Sequence, residues 1–301
     1  MAKTRFPKDR GLTARMGLTI FFIGLLYAAV VGALLAFRFS IAFVGVIAGG
    51  LLFVQYFFSD KIALAAMRAQ VVTPAEAPQL HALVDRLCAL ANMPKPKVAI
   101  ANNDIPNAFA TGRNPSNAVV CATTGLLRRL NEEEIEAVIS HELSHVAHRD
   151  VAVMTIASFL GMVAGFLTRI ELWSGAAFGG GDRRNNNQQE GFGLVIFLAT
   201  IVVYAISFLL TRTLSRYREL AADRSGAILT GRPSNLKSAL IKITGEMGRI
   251  PTRDLRSASA FNAFYFAPAL TKDSIGGLFS THPSLEKRIA QLDKIERELS
   301  K

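Results

Sequence analysis

The sequence predicts a mainly α-helical membrane protein, with four transmembrane helices in two hairpins and a cytosolic α+β part built on a small β-sheet. Three observations carry this. Half of the residues are hydrophobic, and the mean hydropathy is positive at +0.30. The apolar residues are gathered into blocks separated by polar stretches. Between and after the blocks, helical and strand-like periodicities alternate.

Gly17–Phe37 holds no charge over 21 residues, and Ile41–Phe58 none over 18. Val151–Thr168 and Gly193–Leu210 are similar. About 18 uncharged apolar residues are long enough to cross a bilayer. The last two runs also suit a pair of buried core helices. The first span reads as an uncleaved anchor, since its apolar stretch is too long for a signal peptide and a second follows at once.

The expected organisation is a basic tail over 1–16, a membrane hairpin over 17–58, a soluble part over 59–150, a second hairpin over 151–210 with a polar loop at 171–192, and a soluble part over 211–301. Lys3, Arg5, Lys8, Arg10 and Arg15 precede the first span, and Arg212, Arg216 and Arg218 follow the fourth. Positive residues stay on the cytoplasmic side, so the N-terminus and both soluble parts are expected there. The net charge of +11 suits an anionic lipid surface. The basic residues are scattered rather than striped, which argues against nucleic acid. Cys88 and Cys121 form no C-x-x-C pair and read as buried, reduced thiols.

In the soluble parts, Leu80, Leu83, Val84, Leu87 and Leu90 recur at helical spacing and predict an amphipathic helix over 75–91. Lys97–Ala101 and Ala118–Thr123 predict short strands, with the Pro- and Asn-rich stretch 103–117 between them. Asn131 with Glu134 predicts a capping box, and Glu132–Glu134 suit a helix N-terminus.

That helix carries His141-Glu142-Leu143-Ser144-His145. Residues four apart share a helix face, so both imidazoles can grip one metal ion, and Glu142 can deprotonate a bound water. A catalytic zinc wants a third protein ligand. Glu219 is the best candidate, and Asp223 one turn later can accept from a ligand imidazole. If the helices run straight out of the membrane, His145 and Glu219 stand about 10–13 Å above the same face. A membrane hairpin then fills the gap between them. The bland alternative is a polar helix bearing solvated His and Glu. His148 falls on another face. His282 on spacing alone reads as a loop residue before a helix capped by Ser284.

Taken together, His141–His145, Ser215–Asp223, Thr281-His282-Pro283 and Asn107-Ala108-Phe109-Ala110 resemble the HtpX-type membrane zinc metalloproteases. These are relatives of the Ste-type proteases of prenylated CAAX proteins. The resemblance covers most of the chain and is far more specific than H-E-x-x-H alone. It implies a gluzincin-type catalytic domain with one zinc ion per chain, held by His141, His145 and Glu219, and Glu142 as base. It implies that His282 and Arg288 polarise the scissile carbonyl or hold the active-site helices. Asn107, Ala108, Phe109 and Ala110 are expected to form an edge strand that aligns substrate, with Asn107 near the oxyanion.

The implied function is quality control of misfolded membrane proteins, with polypeptide substrates, a site on the cytoplasmic side of a bacterial inner membrane, and an oligomeric state left open. Competing readings are a narrow processing protease and a non-catalytic client-binding scaffold. An intramembrane protease is disfavoured because Glu132–Glu134, His148, Arg149 and Asp150 surround the motif.

Overall fold

Two short apolar runs seed the soluble fold. Lys97–Ala101 forms β2 and Ala118–Thr123 forms β4, with the bounds that their β-branched pattern predicts. They pair in parallel, Ala99 opposite Cys121. Ala69–Val71 (β1) adds antiparallel to β2, and Ala108–Gly112 (β3) adds antiparallel to β4. The order is β1-β2-β4-β3, so β3 is an edge strand. β3 lies in the Pro- and Asn-rich stretch, where the resemblance implies an edge strand over Asn107–Ala110; the strand itself runs from Ala108 to Gly112. Ala and Gly have little intrinsic strand preference, and pairing with β4 outweighs that. Asn107 sits just before β3, its N–H donating to Thr123 Oγ1 at 2.9 Å.

A computed structural model describes residues 6–7, 9–36, 41–150, 153–154, 187–247 and 282–301. Contacts divide the chain into two units. The first comprises 1–13, 56–152 and 215–301. Besides the sheet it holds Ser59–Ala66 (α3), Pro78–Ala91 (α4), Thr124–Arg129 (α5), Glu132–His148 (α6), Pro233–Met247 (α8) and Leu285–Leu299 (α9). α4 starts three residues later than its periodicity suggests, because Pro78 fits the first helical turn, where no N–H is needed. Its core joins Val84 and Leu87 of α4, Val98 and Val120 of the sheet, Ile139 and Leu143 of α6, Leu240 of α8 and Leu292 of α9. Cys88 and Cys121 are buried in that core, and burial pushes both thiols up to about 12.

The second unit comprises 14–55 and 153–214. It takes most of Arg10–Ala36 (α1), Ile41–Phe57 (α2) and the first part of Asn187–Thr230 (α7). Among the described residues, one helix is long and apolar enough to cross a membrane, at Arg10–Ala28 with a mean hydropathy of 1.5. α2 has 17 residues. The run 151–168 lies largely outside the described residues, so four spans are not shown. Large apolar side chains stand exposed on all three helices, among them Phe21, Val46 and Val202. The polar loop expected over 171–192 ends sooner, since α7 already begins at Asn187. Gln and Glu there are good helix formers.

α6 starts as expected. Asn131 Oδ1 accepts from Glu134 N at 2.9 Å, and Glu134 Oε2 accepts from Asn131 N at 3.0 Å. α6 ends at His148 with Arg149 in the left-handed region, φ 58°. The expected straight run from His145 into residue 151 is therefore broken. The turn brings Asp150 back beneath α6, where His145 Nδ1 meets its Oδ2 at 2.9 Å.

α7 can cross α6 closely because position 226 is glycine. A Cβ there would stand 2.9 Å from His141 N and 3.1 Å from His141 Cα. Ser140 Oγ also donates to Gly226 O at 3.3 Å. Gly226→Ala should therefore cost about 1–3 kcal/mol by overpacking against rigid backbone, read as a lower melting temperature of the purified protein.

Glu134 is 3% exposed. Burial alone would raise its pKa, but Lys242, Ser238 and Asn131 outweigh burial and hold it below the usual range. A depressed carboxylate stabilises the fold above its unfolded value and stops doing so as pH falls through the folded one. Glu134→Gln should melt lower than wild type at pH 7, and the gap should close below about pH 4.3.

Candidate metal centre and active site

Three side chains from two helices converge in the first unit. His141 and His145, one turn apart on α6, meet Glu219 of α7. His141 Nε2 and His145 Nε2 are 3.2 Å apart. Glu219 Oε2 lies 3.5 Å from His141 Nε2, and its Oε1 lies 3.5 Å from His145 Nε2. All three residues are buried. Tetrahedral zinc with bonds of about 2.0–2.1 Å sets its ligand atoms about 3.3–3.4 Å apart. The observed edges match that figure, so the residues fit such an ion.

The outer ring nitrogens each face a carboxylate. His141 Nδ1 lies 2.9 Å from Asp223 Oδ1, and His145 Nδ1 lies 2.9 Å from Asp150 Oδ2. A carboxylate can only accept, so in the neutral ring each contact favours the proton on Nδ1 and leaves the Nε2 lone pair for a metal ion. The expected Asp223 contact is thus seen on His141. Asp150 was not singled out from sequence. Its signal would have been a carboxylate just past the helix end, but the left-handed turn at Arg149, a non-glycine position, hides it.

The electrostatics are strongly opposed. Burial disfavours charge on His141, but Asp223 and Glu219 override it and raise its pKa to about 9. Burial dominates at His145 and lowers it to about 4, despite Asp150. Burial would raise Glu219, but His282, His141 and His145 hold it well below the carboxylate range. A bound divalent ion would add positive charge beside all three and hold both imidazoles neutral.

Glu142, the neighbour of His141 on α6, reaches the sheet. Its Oε2 accepts from the Ala110 N–H of β3 at 2.9 Å. Burial first, then the Glu219 charge, raise its pKa to about 7, against the pull of His141, Arg218 and the Ala110 amide. A carboxylate near neutrality suits proton transfer in both directions. Because Ala110 N donates to Glu142, it does not serve the β4 ladder and faces the free side of the strand.

His282 and Arg288 take different places. His282 Nδ1 lies 3.1 Å from Glu219 Oε2. Arg288, 2% exposed, donates twice to Asp223, from Nε at 2.8 Å and from Nη2 at 2.6 Å. Thr281 lies outside the described residues. Ser284 caps α9 as expected, accepting from Lys287 N. Arg218, also missed, sets its Nε 3.5 Å from Asp150 Oδ1 and its Nη2 3.6 Å from Glu219 Oε1. His148 leaves the centre, its Nδ1 2.8 Å from Ser144 O and its Nε2 3.2 Å from Pro7 O.

Comparison with known proteins gives the family. The model of peptidase family M48 matches residues 74–296. "Protease HtpX homolog 1" of Streptomyces coelicolor is 57% identical, over 99% of this chain and 97% of that one. "Protease HtpX homolog" of Moorella thermoacetica is 54% identical, over 99% and 98%. A crystal structure of Ste24p from S. mikatae is similar at a TM-score of 0.45 and 18% identity, covering 84% of this chain and 64% of that one. Family match and full-length identity converge on one conclusion: the chain belongs to peptidase family M48, as a metalloprotease of the HtpX type.

Proposed function

We propose that the protein is a membrane-bound zinc endopeptidase that cleaves misfolded or damaged membrane proteins at the cytoplasmic face of a bacterial inner membrane. The observation that carries the reading is one arrangement. Three buried donors stand at tetrahedral spacing, and Glu142 lies beside them on the amide of an edge strand. The apolar helix Arg10–Ala28 and the exposed apolar residues of α1, α2 and α7 support attachment to a bilayer. In this reading α1, α2 and α7 cross the bilayer, and the apolar run 151–168 of the sequence supplies the fourth expected span.

His141, His145 and Glu219 hold the ion in this reading. Zinc, when bound, supplies Lewis acidity toward a carbonyl and a water. Glu142 takes the water's proton and later gives a proton to the leaving amine. Asp223 and Asp150 hold the two imidazoles in the ligating tautomer. Arg288 anchors Asp223, which makes it a positioning residue rather than a group in contact with substrate. His282, against Glu219, stands where a donor to the developing oxyanion would be useful. An unfolded segment pairs along the Asn107–Ala110 edge, where main-chain hydrogen bonds accept many sequences. That tolerance favours quality control over narrow processing.

Glu142→Gln should keep zinc at one per chain and lose cleavage of an unfolded substrate by at least about 10²-fold. Cleavage at wild-type rate would remove Glu142 from the mechanism. Chelation should abolish wild-type cleavage, and added zinc should restore it.

Asp150→Asn should weaken zinc binding about 10–100-fold, read by competition with a chromophoric chelator. An unchanged affinity would show that the 2.9 Å contact with His145 does not support the ligand.

A further inference from the structure

Outside the metal centre, the first unit carries a cluster of rings and cations that the peptidase chemistry does not use. α2 ends in Tyr56-Phe57, with Phe58 next in the chain. Phe57 and Phe58 are about 40% exposed, and Ile62 on α3 is 50% exposed. The Arg113 guanidinium lies over the Phe57 ring, 5.2 Å from its centroid. Arg113 Nη1 also donates to Phe57 O at 3.3 Å. Lys61 Nζ lies 5.2 Å from the Phe58 centroid. Tyr56 and Phe57 meet edge to face, their centroids 5.3 Å apart. α3 also carries Asp60, the one acid in this cluster among the described residues.

Arg113 belongs to a stiff loop. Gly112, at φ +126°, ends β3, and a Cβ there would strike Asn117 O. Asn114 then caps the 3-10 turn Pro115–Asn117, its Oδ1 accepting from both Asn117 N and Asn117 Nδ2 at 2.9 Å. A loop locked in this way presents its cation at a fixed place.

We propose that Phe57, Phe58, Lys61 and Arg113 form a docking belt for anionic phospholipid headgroups, which holds the β3–β4 loop, and through it the edge strand beside Glu142, at the bilayer surface. The aromatic rings suit the boundary between acyl chains and headgroups. The two cations suit phosphate, and each lies over a ring that can share the same depth. The belt follows directly from the apolar helix α2, so a lipid surface fits it better than a soluble anion, which would leave the rings in water. The inference rests on the membrane attachment in the proposed function. It adds a reason why substrates emerging at the headgroup level would meet β3 first.

The test uses the full chain in nanodiscs, either of phosphatidylcholine alone or with phosphatidylglycerol added. Hydrogen exchange of the amides of 113–118 is followed at low and high salt. Each cation near an anionic surface contributes about fivefold to the docking equilibrium. Exchange should therefore be slower in the anionic discs, the difference should vanish at high salt, and Lys61→Ala or Arg113→Ala should each lose about fivefold of the protection. Arg113→Lys with Lys61→Arg should keep it. Equal exchange in the two lipids overturns the proposal, as does a difference that persists at high salt, since that would mean apolar insertion alone. The salt comparison needs only the wild-type protein, so a variant that fails to fold does not block the test. Release of the wild type from native membranes by alkaline carbonate would sink the membrane reading itself. Cleavage of a soluble peptide, which the belt variants should leave unchanged, tests the peptidase reading separately.

Discussion

Three donor groups held 3.2–3.5 Å apart in a buried place make a cradle for one positive centre, a shared proton or a metal cation. That constraint organises the rest of the first unit. Each imidazole is held in place from behind by a carboxylate, His141 by Asp223 and His145 by Asp150. Asp223 is in turn gripped by Arg288, whose two hydrogen bonds match the planar guanidinium to both carboxylate oxygens. Asp223 thus has Arg288 in contact and Asp150 has Arg218, which is the condition under which buried carboxylates can be kept away from water.

The crossing of α6 and α7 makes this network possible. Glu219 and Asp223 reach the histidines only if the helices approach closely, and Gly226 leaves room for that approach beside His141. The same part of α7 offers the small residues Ala221, Ala222 and Ser225, all buried. Arg288 arrives from α9, which packs on α8, which in turn packs on α6. The C-terminal helices therefore complete a centre whose metal-binding motif lies some 140 residues upstream.

The sheet contributes at one point, the Ala110 amide. An edge-strand N–H that would otherwise need a partner from water or another chain is given to Glu142. This ties the proposed base to the strand proposed to bind substrate, so the two keep a fixed distance. Beyond β3, the capped loop carries the same stiffness on to Arg113 and the rings at the end of α2.

Residue spacing alone determined much of this protein. The two histidines of H-E-x-x-H must share a face on any helix, and the capping box at Asn131 and Glu134 fixed where that helix starts, because both depend on contacts within one turn. The bounds of β2 and β4 were legible for the same local reason. The pairing of Glu219 and Asp223 with the histidines could be suggested, but it took the α6–α7 crossing to establish it. β3, in a Pro- and Asn-rich stretch, was invisible to local preference because its strand state is decided by β4. The turn at Arg149 and the return of Asp150 to His145 were equally hidden, since a left-handed arginine is unfavourable alone and persists only where surrounding contacts offset it. Contacts within a turn of helix or a single strand are written in the chain, whereas contacts between segments distant in sequence exist only once packing has brought those segments together.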